Sequence, residues 1–581
     1  MYTALRCFEW LLRRISEVHL SKHRSTRLAM DSREEQEIRD TALLQQHIGY
    51  KQELKRSFSA LHSFALCFTI TGLVPSIAAT IPYALAAGPA GLIWGWVIGL
   101  AFITTIATAL AELSSALPTT GALYFWTFYF GPKNHRGLLC YIIGYLNTLG
   151  SVVGLMSISY SVALMISSVV GIATNGEWTA SRLQVYLIAL AVMVSHATVS
   201  SLPGKALAAM QTVYMVGNFL IIIVVAIVLP ALTPSEKRPD ASWVFTHVDN
   251  GSDWPTGFTF ILAFLMPLWT VNGFESSIHI SEETRDAVRA VPKALMWIVV
   301  ASFVLGLACV IGISFSVKDF EAVRNTPLGQ PMAQILLDSF GYSGALAAWT
   351  SIAFLTWTMG SSVSIATSRQ VWAFSRDGAL PFSKIISRVT SRGVPIFAIW
   401  CSPIIAALLG LLALINEVAA SALFSLGVVA SYSCYAIPIF SRLTWGRDRF
   451  VPGPFYTGDF LSPIINWTCL ICMAFFWIIF LFPTSGPHPT AENMNYGAVI
   501  FATVISGVLI SWYLPNVGAK HWFTGPKNDY AMENGLATET IEGSIVHSSL
   551  ENRRMSNKAC EILGIHYPEK EKQRLGQEPS R

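Results

Sequence analysis

The chain has 581 residues, 53% of them hydrophobic and 13% charged, with a mean hydropathy of +0.50. Soluble proteins carry about 25% charged residues, so a soluble globular domain is excluded and a polytopic membrane protein is indicated. The net charge of +4 is small, and the basic residues lie in short connectors rather than in one patch, which argues against a nucleic-acid partner.

Residues 1–62 form a polar N-terminal region. Within it, residues 1–29 hold six Lys/Arg against two acids, with Trp10, Leu11, Leu12 and Ile15 between them. A targeting presequence, a surface helix and a true start at Met30 all fit that pattern. No cleavable secretory signal is evident, so the first span is expected to direct insertion. About 20 apolar residues cross a bilayer, and twelve such spans follow between residues 63 and 514, at 63–86, 92–113, 136–168, 183–200, 209–231, 257–280, 294–316, 345–368, 396–415, 420–440, 462–482 and 497–514. From Pro515 to Arg581 the chain is a polar tail without an apolar face.

Connector charge sets the orientation. With a cytoplasmic N-terminus, fourteen Lys/Arg fall in inside connectors and five in outside ones, so both termini are expected in the cytoplasm. Asn250-Gly251-Ser252 then lies outside, as a compatible glycosylation acceptor.

The first span is interrupted. Between Phe64 and Trp94 it carries Gly72, Pro75 and Pro82, with Gly88 and Pro89 at its end. Pro75 lacks a backbone N–H, so the helix is expected to unwind at Val74-Pro75-Ser76-Ile77-Ala78. Unwound backbone at membrane depth is tolerated only inside protein or against a cavity; a kink used only for packing is the alternative. The sixth span is interrupted too, by Pro267 and Gly273, and carries Glu275 at membrane depth. Spans 1 and 6 are five apart, and an odd repeat inverts the second copy. Paired interruptions in corresponding places of two halves point to a transporter site.

Of nine cysteines, most lie inside apolar runs. Cys469 and Cys472 have CxxC spacing, but at lipid depth and without a second pair, so packing is expected and no metal site. There is no HExxH, no GxSxG in a strand–turn–helix context and no nucleotide-binding motif, so neither an enzyme nor a cofactor is expected.

Several segments, in order, carry a resemblance. Gly49-Tyr50-Lys51-Gln52-Glu53-Leu54-Lys55-Arg56 precedes span 1, and Ala111-Glu112-Leu113 leads to Pro118-Thr119-Thr120-Gly121-Ala122-Leu123-Tyr124. Gly273-Phe274-Glu275 is followed by His279-Ile280-Ser281-Glu282-Glu283, and Ser368-Arg369-Gln370 by Ala373-Phe374-Ser375-Arg376-Asp377-Gly378-Ala379-Leu380-Pro381. Pro452-Gly453-Pro454-Phe455 and Trp522-Phe523-Thr524-Gly525-Pro526 complete the set. From Gly49 to Asn528 the chain resembles the amino acid–polyamine–organocation superfamily, and within it the fungal amino acid/choline/GABA permeases. The resemblance implies an all-α fold of twelve transmembrane helices, a five-plus-five inverted repeat with broken helices 1 and 6, and alternating access. It implies a substrate site between spans 1, 3, 6, 8 and 10. Other members often show Gly-Ser-Gly at the first break; the matching segment here is Pro75-Ser76-Ile77.

Free N–H groups near Ser76, Ile77 and Ala78, at the start of the second half of span 1, would favour a carboxylate. Carbonyls between Trp269 and Asn272, beside Gly273, would suit an ammonium, with Trp269 and Phe274 as cation–π partners. An amino acid zwitterion fits both ends, and a quaternary amine depends more on the rings. Asn147 and Tyr160 in span 3, and Tyr432 and Tyr435 in span 10, are further candidates. Among the few ionisable residues in the spans, Glu112 reads as connector packing and His196 as structural. Glu275, with His279 behind it, reads as a gate or proton-coupled switch. Some proton-coupled relatives place a lysine in span 5, but Val213–Leu229 holds none, and Asn218 is its most polar side chain. Glu282, Glu283, Arg285, Asp286, Arg289, Arg369, Arg376 and Asp377 form either a solvated face or a salt-bridge gate at the inner mouth. The expected function is secondary transport, in the plasma membrane, of an amino acid, GABA, choline or related amine, with protons as coupling ion. A transporter-like nutrient receptor that binds ligand and signals is the alternative.

Overall fold

The computed structural model describes residues 36–174, 177–414, 417–484, 486–488, 490 and 494–527. The basic stretch 1–29 and the tail from 528 lie outside the described residues. One compact unit holds the described residues 36–44 together with Gln52–Lys527; residues 45–51 fall in a second unit.

The described residues fold into helices with no named strand; Phe58 and Thr284 make an isolated bridge. Among the described residues, ten helices are long and apolar enough to cross a membrane: Ala60–Leu85, Gly88–Ala116, Arg136–Ala173, Arg182–Ser200, Gly204–Leu232, Ala287–Ser314, Ile396–Leu414, Ala422–Leu443, Leu461–Ile479 and Tyr496–Tyr513. They match the predicted spans 1–5, 7 and 9–12. Span 8 lies inside Pro331–Arg376, which bends at Gly341 (φ 69°) and is rich in Ser, Thr and Trp. Span 6 is divided into Thr256–Leu262, Leu265–Thr270 and Ser276–His279. Both broken spans are therefore present. Lipid offers no partner to a free peptide group, so intact helices bear the lipid contact and the broken ones are wrapped by neighbours.

The break in span 1 is displaced from its expected position. The helix stops at Thr71, Gly72 turns left-handed (φ 43°, ψ 65°), and a new helix runs Leu73–Leu85. Val74, Pro75, Ser76, Ile77 and Ala78 are thus helical, not unwound, and the Ser76 N–H already donates to the Gly72 carbonyl at 2.7 Å. Pro75 occupies the first turn of the second half, where a missing N–H breaks no bond. Gly72 makes the break because it alone in the segment reaches positive φ without a Cβ penalty. The Ser76 hydroxyl spans the break by donating to the Thr71 carbonyl at 2.7 Å.

This contrast is testable. A Cβ on Gly72 would lie 3.2 Å from both Met359 Sδ and the Thr69 carbonyl, on top of the left-handed strain. Gly72→Ala is expected to cost about 1–2 kcal/mol, read as a lower melting temperature in detergent and reduced uptake. Pro75→Ala is expected to leave both nearly unchanged, and the reverse order would return the break to the proline.

Two further features add to the sequence reading. The connector between spans 2 and 3 contains a short helix, Ala122–Phe130, that no predicted span covers. The described residues after Pro515 pack on the helices: Phe523 is buried against Tyr141 (ring centroids 5.4 Å), and the Lys527 N–H donates to Asp377 Oδ1 at 3.1 Å. On the same face a strap passes under span 6. The Phe58 N–H donates to the Glu283 carbonyl (3.0 Å), the Arg285 N–H to the Phe58 carbonyl (3.1 Å), and Gln52 Nε2 to the Glu282 carbonyl (2.9 Å).

Candidate functional site

A cavity of about 60 Å³ lies at the broken helices. Its walls come from spans 1, 3, 6, 8 and 10: Ile70; Asn147, Gly150 and Gly154; Trp269, Asn272, Gly273, Glu275 and His279; Met359 and Thr367; and Ser431. Small residues make the room. A Cβ on Gly154 would meet nothing within 4 Å, so the cavity exists there because the side chain does not.

Span 6 brings most of the chemistry. Gly273 (φ 85°) opens a turn from Val271 to Glu275. The Trp269 carbonyl accepts the Asn272 N–H (2.9 Å), and the Phe274 carbonyl accepts the Cys67 thiol of span 1 (3.1 Å). The carbonyls of Val271 and Asn272 accept from no described donor. Glu275 is 8% exposed, and its Oε2 has no partner among the described residues. The Tyr435 hydroxyl donates to Asn272 Oδ1 at 3.3 Å. His279 Nδ1 meets the Thr120 carbonyl at 3.2 Å, leaving Nε2 unpartnered, and Asn147 Nδ2 is unpartnered as well. An unpaired buried polar group costs about 1–3 kcal/mol. Three of them on one small cavity make a surface shaped for a polar, charged guest.

Of the residues singled out from sequence, Asn147, Trp269, Asn272, Gly273, Glu275 and His279 line this cavity. Val74, Pro75, Ser76, Ile77 and Ala78 are buried in the second half of span 1 and do not. Phe274 is buried with its ring toward Tyr435 (6.2 Å), off the lining. Tyr432 is buried next to Tyr435 (ring centroids 6.3 Å) and does not line the cavity. Tyr160 lines a different and larger space on the far side. The N–H groups at the start of the second half of span 1 are those of Leu73 and Val74, not of Ser76 to Ala78. Met359, Thr367 and Ser431 were missed. Their helices carry polar residues at many positions, so only the fold selects which ones face inward.

The cavity is bounded on both sides. Toward the strap, Arg369 Nε pairs with Glu283 (2.7 Å), and Arg376 grips Glu282 with two nitrogens (2.9 and 3.1 Å). Glu282 also accepts the Thr120 N–H at 3.1 Å, and the Tyr124 hydroxyl donates to Asp377 at 2.6 Å. All four ion-pair partners are at most 4% exposed at the side chain, so this is a buried seal rather than a solvated face. Arg369 and Arg376, counted from sequence as connector charges, belong to it. Beside the seal, burial raises the Asp286 carboxyl above its usual range; Arg289 opposes this and Asp40 adds to it.

On the other side, Trp269 leans on Phe424 (centroids 4.8 Å), and Phe424 on Tyr83 (6.2 Å). Trp269 faces the cavity while Phe424 and Tyr83 face a vestibule of about 760 Å³. A Cβ on Gly427 would lie 2.4 Å from Trp269 Cζ3, so that glycine lets the ring pass. Glu112 lies elsewhere, bound to Arg442 (2.5 Å) under spans 2, 10 and 11. His196 lies against Gly360, near Ser159 (3.5 Å) and Trp357. The seven described cysteines are free thiols, Cys469 and Cys472 included.

Comparison with known proteins agrees with this architecture. Residues 58–505 match the family described as "Amino acid permease". The chain is 37% identical over 516 residues to the GABA-specific permease of Saccharomyces cerevisiae, covering 88% of this chain and 89% of that one. It is 33% identical to an uncharacterized amino-acid permease of Schizosaccharomyces pombe (84% and 88% covered) and 32% identical to the amino-acid permease BAT1 of Arabidopsis thaliana (82% and 95%). With two broken spans around a sealed polar cavity, and with these relatives matched over most of their length, the chain belongs to the amino acid permease family, as a multi-pass membrane transporter and not an enzyme.

Proposed function

We propose that this permease is a secondary, proton-coupled transporter of the plasma membrane, with both termini in the cytoplasm. It carries a small amino compound by alternating access. The observation that supports this best is the polar cavity at the two breaks, with Glu275, Asn147 and His279 offering unpartnered groups. A cation suits the Glu275 side, the free carbonyls of span 6 and the Trp269 face; a carboxylate suits Asn147 and the N–H groups following Gly72. The relative named as GABA-specific makes GABA the first substrate to test. Glu275, with His279 behind it, carries the coupling proton in this reading, and the excess of connector arginines and lysines supports the orientation. Asn250, exposed on the outer side, is a glycan acceptor, since its Nδ2 donates one hydrogen to the Trp254 carbonyl (2.9 Å) and keeps a second.

The deciding experiment is uptake by the purified protein in liposomes. Labelled GABA, choline and a set of amino acids are offered with and without an inward proton gradient. Accumulation of one of them, lost when the gradient collapses, is expected. Binding without flux of any compound would return the receptor reading.

In this cycle the ion pairs form the inner gate. Glu283→Gln and Arg369→Gln are each expected to lower uptake at least about fivefold, and the double variant to be no worse than either single one, because the residues act as a pair. Additive losses in the double-mutant cycle would remove the pair from the gate.

A further inference from the structure

The vestibule beyond Phe424 has about 760 Å³, against about 60 Å³ for the central cavity. Pockets that enclose drug-sized ligands run from about 300 to 1,000 Å³, so it holds far more than the cavity beneath it. Tyr83 and Phe424 form its floor, and Tyr160, Trp178 and Tyr342 stand on its walls. Among the described residues, no Asp, Glu, Lys or Arg lines it. The Ser168 hydroxyl on its wall is 7% exposed and has no partner there.

We propose that this vestibule binds organic ammonium ions with apolar arms, at a site separate from the central cavity, and that its occupant blocks transport by holding the aromatic floor in place. Five aromatic side chains surround the space, and ring faces attract cations. A quaternary ammonium needs no hydrogen-bond acceptor, and its apolar arms gain from leaving water. A carboxylate finds no cation here, so a zwitterion is not retained on its way to the cavity. An occupant resting on Tyr83 and Phe424 is also coupled to Trp269 through Phe424. The blocking effect rests on the proposed transport; the binding does not.

The test uses labelled benzyltrimethylammonium and the full-length protein in detergent. Saturable binding is expected, with neopentylbenzene, its uncharged carbon isostere, competing at least about tenfold more weakly. Trp178 and Tyr342 line the vestibule and not the central cavity. Trp178→Leu and Tyr342→Leu are each expected to leave GABA uptake unchanged and to weaken binding about fivefold, within the range of one cation–π contact. In liposomes the cation is expected to lower the maximal uptake rate without raising the half-saturation concentration. Equal competition by the neutral isostere, or unchanged binding in both variants, would overturn the proposal. So would competitive inhibition, which would place the cation in the central cavity. Binding with the expected sensitivities in a protein that moves no substrate would uphold the site and remove the transport reading instead.

Discussion

Arg442→Met is expected to remove most of the folded protein. The Arg442 side chain is 5% exposed, binds Glu112 at 2.5 Å, donates to Ser462 at 2.8 Å and lies 3.7 Å over the Phe450 ring. Glu112 is fully buried and also accepts from the Thr457 N–H (3.1 Å), the Thr457 and Ser462 hydroxyls (2.5 and 2.7 Å) and Asn466 (3.3 Å). One carboxylate thus ties span 2 to spans 10 and 11 and the connector between them. Methionine keeps much of the volume but leaves the carboxylate without its cation. Removing one partner of a buried pair costs about 3–5 kcal/mol, a large part of a typical total stability. The readout is the melting temperature and yield in detergent. Adding Glu112→Gln in the same chain is expected to restore part of the loss, since the hydroxyl donors still have an acceptor. A single variant that melts with the parent would show that the pair is not what holds these spans.

Glu275→Gln is expected to act on transport and not on folding. Glutamine has the same shape, and no ion pair at Glu275 is broken. What disappears is the charge that the cavity offers to a guest's donor. A hydrogen bond to a charged group contributes about 1.5–3 kcal/mol, so initial uptake at an inward proton gradient is expected to fall about 10- to 150-fold. Protein abundance and melting temperature are expected to hold. Normal uptake with an unchanged pH dependence would sink the carboxylate as the proton switch. The same loss from Tyr435→Phe would place the hydroxyl in the relay; a much smaller one would make it a packing group.

The two predictions also mark different degrees of legibility. Glu275 stood out in the sequence because a carboxylate beside a glycine in an apolar run has few structural uses. Glu112 looked like connector packing, and it is, but nothing in the sequence pointed to Arg442, 330 residues away. Arg369 and Arg376 follow an apolar run and read as connector charges, of either a solvated face or a salt-bridge gate. Their helix in fact extends to Arg376 and buries both against Glu283 and Glu282, just after span 6. At the first break, proline drew attention because it disrupts helices in their interior. Gly72 three residues earlier carries the turn, and a glycine followed by a first-turn proline was the signal available.

Composition and hydropathy determined the membrane class, the number and order of spans and the two interruptions, because lipid contact demands long apolar segments and their breaks need glycine or proline. Those are local requirements, written in local sequence. Which side chains share the cavity was decided only by the tertiary structure. Met359, Thr367 and Ser431 come from two spans far from span 6 in the chain, and each polar span offers several equivalent candidates. Only helix packing, with glycines such as Gly154 and Gly427 setting how closely the walls approach and where Trp269 lies, selects the faces that meet.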